Sequence, residues 1–205
     1  ALPGATTPEI AAAAQARATG RRYDLACVHV GTNDVRLPSW DPRAFEAALA
    51  DLLSAIDADR LLVTTIPLDL GRPRAGAKVV QANTLLRAAV RLRGQTPESH
   101  LRLREAQPAP PVTLRGQTPE CHVVELEGLK GWLWVMPDAV HPTALGQVEI
   151  ADRAAEVLGL EVRPSALADA HRSRRALARY AVTRHAPMVA RDLRRRVVER
   201  VRRIR

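Results

Sequence analysis

Aromatic residues are scarce in this sequence: one Phe, two Tyr and three Trp among 205 residues. A core must then be built mainly from Ala, Leu and Val, and the ring platforms on which single-stranded nucleic acids stack are nearly absent. Lysine is scarcer still, with 2 Lys against 29 Arg; with abundant Ala, this bias points to a GC-rich coding sequence rather than to a function. Two cysteines, Cys27 and Cys121, are too few for a disulfide framework. Both fall in or beside expected strands, which predicts buried thiols. No run of eighteen apolar residues occurs, so no segment reads as membrane-spanning. No secretory signal is visible, which gives a cytoplasmic expectation unless a longer N-terminus carries one. No Gly-rich phosphate loop follows any strand, which disfavours a flavodoxin-like binding domain.

The apolar share of 46% can fill one core, and the length fits one domain with an appendage. The net charge of +9 is unevenly placed. Residues 1–162 carry 17 basic and 19 acidic side chains, a net −2, whereas residues 163–205 carry 14 Arg against 3 acids, a net +11. The basic character belongs to the C-terminal segment.

The chain is organised around Asp24-Leu25-Ala26-Cys27-Val28-His29-Val30-Gly31-Thr32-Asn33-Asp34. This short apolar run ends in turn residues, as a buried parallel strand does, here over 24–30. Chemistry in open α/β sheets gathers at the carboxyl ends of strands, which makes Asn33 and Asp34 site candidates beside their role as ordinary turn formers. A second stretch, Asp138-Ala139-Val140-His141-Pro142, precedes an expected helix from Thr143 to Leu158, with Pro142 at its start and Gly159 as its stop. An Asp three residues before a His can orient the imidazole and stabilise its protonated form.

Together these stretches resemble the SGNH (GDSL-type) hydrolase family. Gly31-Thr32-Asn33-Asp34 is similar to its third block and Asp138-Ala139-Val140-His141 to its fifth; Pro3-Gly4-Ala5-Thr6-Thr7-Pro8-Glu9-Ile10 is more loosely similar to its second. The resemblance spans about residues 1–160. It implies a three-layer α/β/α fold around a parallel, flavodoxin-like sheet and hydrolysis of carboxylic esters through an acyl-enzyme, without metal or organic cofactor. His141 would be general base and then acid, Asp138 its orienting partner, and Gly4 N–H with the Asn33 side chain two oxyanion donors. The family's first block, a strand ending in Gly-Asp-Ser that supplies the nucleophile, has no counterpart here. In the family it lies upstream of the second block, so a fragment or a mis-started gene product is expected, without serine-dependent activity. Asp34 reads as a brace of its loop, and Ser39 and Ser54 do not lie in a strand-to-helix elbow.

Elsewhere the pattern predicts helices over Thr7–Thr19, Asp41–Asp57 and Lys78–Leu92, and strands over 61–66 and 122–126. Trp40, Trp132 and Trp134 either wall a substrate pocket or pack on the scaffold. Arg72 and Arg74 sit in a loop that either meets an anionic group or faces solvent. Leu92–His100 recurs as Leu114–His122, a local tandem duplication that also accounts for His100 and His122 without a metal. Ser165–His185 reads as a helix broken by Pro187. Beyond it Val189, Leu193, Val197, Val201 and Ile204 recur at helical spacing among arginines.

The expected organisation is an SGNH hydrolase-like α/β domain over 1–162, incomplete at its N-terminus and carrying a tandem-duplicated insert at about 92–121, followed by an Arg-rich helical extension over 163–205. The expected partners are a small-molecule ester and, for the Arg-rich helix, an anionic membrane, a nucleic acid or a protein. A catalytically silent relative that acts through this helix is the alternative function.

Overall fold

A computed structural model describes residues 4–17, 22–67, 75–94, 119–129, 134–136, 141–167 and 174–204. Three parallel strands, β1 (Arg22–Val28), β2 (Asp57–Thr64) and β3 (Glu120–Val124), form a sheet in the order β1-β2-β3. Helices α1 (Thr7–Arg17), α2 (Pro42–Ser54), α3 (Ala75–Gly94) and α4 (Ala144–Val157) flank it, and α5 (Pro164–Leu167), α6 (Arg174–Tyr180) and α7 (Ala186–Ile204) follow. The architecture is α/β.

Strand alternation assigns the helices to faces. Leu61 and Val63 point into a core with Val28, Val30, Phe45, Leu49, Leu52, Val79 and Leu86, which places α2 and α3 on that face, with Ile10 and Ala14 of α1 packed against it. Leu62 points the other way and packs with Val124, Leu126 and Leu129 beneath Trp134, Ile150, Ala154 and Val157, the α4 side. Cover on this second face is incomplete. Along β1, Tyr23, Leu25 and Cys27 are exposed. Cys27 is therefore not the buried thiol that the strand pattern predicts, and Cys121 is half-buried; both are free. An apolar strand face is buried only where a helix reaches it, and α4 packs over β2 and β3.

The first two strands begin and end earlier than the hydropathy suggests. β1 stops at Val28, with Val30 buried in the loop beyond. β2 begins at Asp57, a poor strand former, in register with Arg22 of β1, which pairs with Asp59 (Nε to Oδ1, 2.8 Å) and Asp57 (3.6 Å), while Ala58 between them is buried. β3 likewise covers 120–124 rather than 122–126.

Helix starts follow local chemistry. Asp41 caps α2 by accepting from Arg43 N (2.9 Å). At α1, Glu9 accepts from both Thr6 N (2.7 Å) and Thr6 Oγ1 (2.8 Å), one half of a capping box. Helix α4 starts after Pro142, not on it: Thr143 is the cap, its hydroxyl accepting from Gly146 N (3.0 Å).

Pro187 does not break the C-terminal helix. A π turn over Ala181–His185 joins α6 to α7, closed by Ala186 N bonding to Ala181 O. Proline lacks an N–H and crowds the carbonyl four residues back. That carbonyl belongs to Thr183, inside the wider π turn, which lets the helix run through. The duplicated segment from 95 to 118, including His100, lies outside the described residues, as do Arg72, Arg74 and Trp132.

Candidate active site

The Gly-Thr-Asn-Asp loop leaves the carboxyl end of β1 and tightens into a 3-10 turn, Asp34–Arg36, closed by Arg36 N to Asn33 O (3.1 Å) and Leu37 N to Asp34 O (3.0 Å). Gly31 is required twice over. Its φ of +92° is a left-handed conformation, and a Cβ there would lie 2.9 Å from Ile66 Cδ1 and 3.1 Å from the Phe45 ring.

This loop is tied to the start of α1. The buried Asp34 carboxylate accepts from Thr7 N (3.0 and 3.1 Å to its two oxygens) and from Thr7 Oγ1 (3.0 Å). A carboxylate at a helix N-terminus satisfies orphan donors and meets the positive end of the helix dipole, so Asp34 braces. Asn33 donates from Nδ2 to Ala5 O (2.9 Å), next to Gly4, which is exposed with φ +75°. Asn33 is thus bonded to the residue that follows Gly4, the other candidate oxyanion donor. Trp40 packs on Phe45 (ring centroids 5.2 Å apart) and donates to Gln81 (3.1 Å). It also lines a cavity of about 120 Å³ with Thr6, Asp34 and Leu37. Ser39 is exposed at that cavity, and Ser54 Oγ bonds Asp51 O (2.8 Å) at the end of α2.

His141 sits on a separate loop. Val135 bridges Pro142 in antiparallel fashion, Met136 N donates to His141 O (2.8 Å) and Thr143 N to Trp134 O (2.9 Å). The backbone from the His141 carbonyl to Thr143 is pinned to 134–136, and His141 is exposed. Asp138 lies outside the described residues. Gly146 permits this packing, since a Cβ there would stand 2.1 Å from Trp134 O. Trp134 itself packs against Leu62, Val124, Leu126 and Leu129, beneath the loop. Ala144 N, three residues after His141, donates to the Tyr180 hydroxyl at the end of α6 (3.3 Å). The Asn33 loop follows β1 and the His141 loop comes after β3. With β2 between them, the two strand ends are about 10 Å apart.

Two polar groups of this region escape the motif reading. Asn83 is fully buried on α3; its Oδ1 accepts from Ile66 N (2.7 Å), and its Nδ2 donates to Ile66 O (2.9 Å) and Glu127 Oε1 (2.9 Å). Its position among Val79, Ala82, Leu86 and Val90 on the buried stripe was the available signal. Beside it, Arg87 bonds Glu125 (2.6 and 2.7 Å) and Glu127 (2.8 Å), and its guanidinium holds the Glu125 carboxyl below the usual range. The second group is His29, whose Nδ1 lies 2.5 Å from Thr64 Oγ1. His29 keeps an exposed outline at the strand edge, yet enough protein crowds its ring that desolvation lowers its pKa.

His122 pairs with Glu120 (2.9 Å). Among the described residues no cluster of His, Cys, Asp and Glu is placed to hold a metal. No helix among them is long and apolar enough to cross a membrane. No protein-family model, curated protein or solved structure matches this chain.

Proposed function

We propose that this chain belongs to an SGNH-type hydrolase of carboxylic esters. The observation that carries the reading is the Asn33 Nδ2–Ala5 O bond, which ties the Asn33 loop at the carboxyl end of a parallel strand to the residue after Gly4. In this reading the Gly4 N–H and the Asn33 amide receive the oxyanion, each donor worth roughly 3 kcal/mol. His141 takes the proton of a serine hydroxyl and returns it to the leaving alcohol, with Asp138 orienting the ring.

The nucleophile is assigned to a strand laid along β1. Helices α1, α2 and α3 pack on one face, and β1, β2 and β3 step across the sheet in one direction. A right-handed crossover through α1 puts the strand before it on the open side of β1, the side to which the nucleophile's strand, further upstream, is assigned. A groove of about 520 Å³ lines that edge, walled by Ile10, Ala14, Val28, His29, Leu52 and Ile56.

The test is the N-terminal peptide of the natural protein, followed by an activity assay. A chain with Gly-Asp-Ser ahead of Ala1 should hydrolyse p-nitrophenyl acetate and react with a fluorophosphonate. His141→Ala should abolish turnover, and Asn33→Ala should lower kcat by about 10²–10³-fold. The 205-residue chain by itself should be inert. Turnover by the 205-residue chain that His141→Ala abolishes, or a Gly-Asp-Ser chain with no esterase activity, overturns the proposal.

A further inference from the structure

The row that Leu193, Val197 and Val201 make along α7 is exposed, and Val198 beside it is exposed as well. These residues recur every fourth position, so they form one stripe along the helix. The sequence of α7 sets seven Arg against Asp192 and Glu199, a net +5 within 19 residues. Among the described elements, the main packing partner of α7 is the π turn that precedes it. The helix therefore presents an aliphatic stripe to solvent, and Arg191 and Arg194 are exposed as well.

We infer that α7 is a docking helix for anionic lipid surfaces. Each half of it needs something different from a partner. Duplex DNA would neutralise the arginines, but base edges are read by hydrogen-bonding side chains, and an aliphatic stripe gains little there. A purely apolar partner would cover the stripe and leave the charge unanswered. An anionic bilayer takes both: the stripe enters the boundary of headgroups and acyl chains, and the guanidinium groups reach the phosphates. The helix is too polar to cross a membrane, so it lies in the interface plane. The Tyr180–Ala144 bond holds the start of this helical segment beside the His141 loop, so a docked α7 brings that end of the body to the lipid surface. This inference does not depend on the hydrolase reading.

The experiment is co-sedimentation of the full chain with phosphatidylcholine vesicles, with and without roughly 30% phosphatidylserine. Binding to the anionic vesicles should be at least about tenfold tighter and should weaken steeply as salt rises. Val197→Glu, which places a carboxylate in the stripe, should weaken it about tenfold or more. Arg191→Glu with Arg194→Glu should do the same without altering the circular dichroism spectrum. Both sites are exposed, so neither variant threatens the fold. Equal binding to neutral vesicles, no vesicle binding, or binding indifferent to Val197→Glu overturns the inference. So does tight duplex-DNA binding that Val197→Glu leaves intact, or a dimer that Val197→Glu dissociates, since the stripe would then serve a nucleic acid or a second copy.

Discussion

Helices α2 and α7 carry the same kind of apolar stripe with opposite outcomes. On α2, Phe45 is 2% exposed and Leu49 0%, under α1 and beside the sheet; on α7, Leu193 is 49% exposed and Val197 62%. Spacing alone does not separate the two. What separates them is whether another element reaches the stripe, and that is decided by chain topology. The two faces of β1 repeat the lesson: Val28 is buried under helices, and Cys27 beside it is open.

The comparison is sharpened by mutations ranked by how much cover each site has. Phe45→Ala should cost about 3–5 kcal/mol in urea unfolding, since it empties a packed site touching Gly31 and Trp40. Asn83→Ala should cost about 2–3 kcal/mol, because it strips the Ile66 N–H and C=O of their side-chain partner in a buried setting. Asp34→Ala should cost about 1–3 kcal/mol through the Thr7 donors left unpaired; Asp34→Asn, which retains one acceptor oxygen, should cost less.

A pH titration probes the partly covered face of β1. The pKa of His29 is lowered in the fold, so below about pH 6.5 the unfolded chain binds more protons than the native one. Stability should fall as pH drops through that value toward the folded pKa, and His29→Gln should flatten the decline. The smallest effect belongs to α7: Val197→Ala should change stability by no more than about 0.5 kcal/mol. A cost as large as that of Phe45→Ala would mean that the stripe of α7 is covered in solution, and the contrast with α2 would collapse.

Much of the α/β frame is legible in the residues. The β-branched run before Gly31, the Asp41-Pro42 start of α2 and the alternation through Leu61-Leu62-Val63 all announce their elements. What the residues conceal is set from outside each segment. Asp57-Ala58-Asp59 joins a strand by pairing with β1; a π turn lets a helix pass Pro187; the limited reach of α4 leaves Cys27 open. The site divides the same way. Asn33 and His141 stand out by motif, but the bond of Asn33 to Ala5 spans 28 residues of chain and is not announced by either segment. The tethering of Asp34 to Thr7 and the buried role of Asn83 require contacts across 27 and 17 residues of chain, which local pattern does not report.

The loop bearing His141 has a consequence in slow exchange. Its two ends are stitched by the Met136 and Thr143 amides, and its base rests on the backbone opposite Gly146. The two stitches flank one bridge, Val135 to Pro142, so releasing one frees the register of the other. In deuterium the two amides should therefore exchange at matching rates, as one small cooperative opening. A Gly146→Ala chain, wedged at the base, should lose both protections together while the amides of β2 keep theirs.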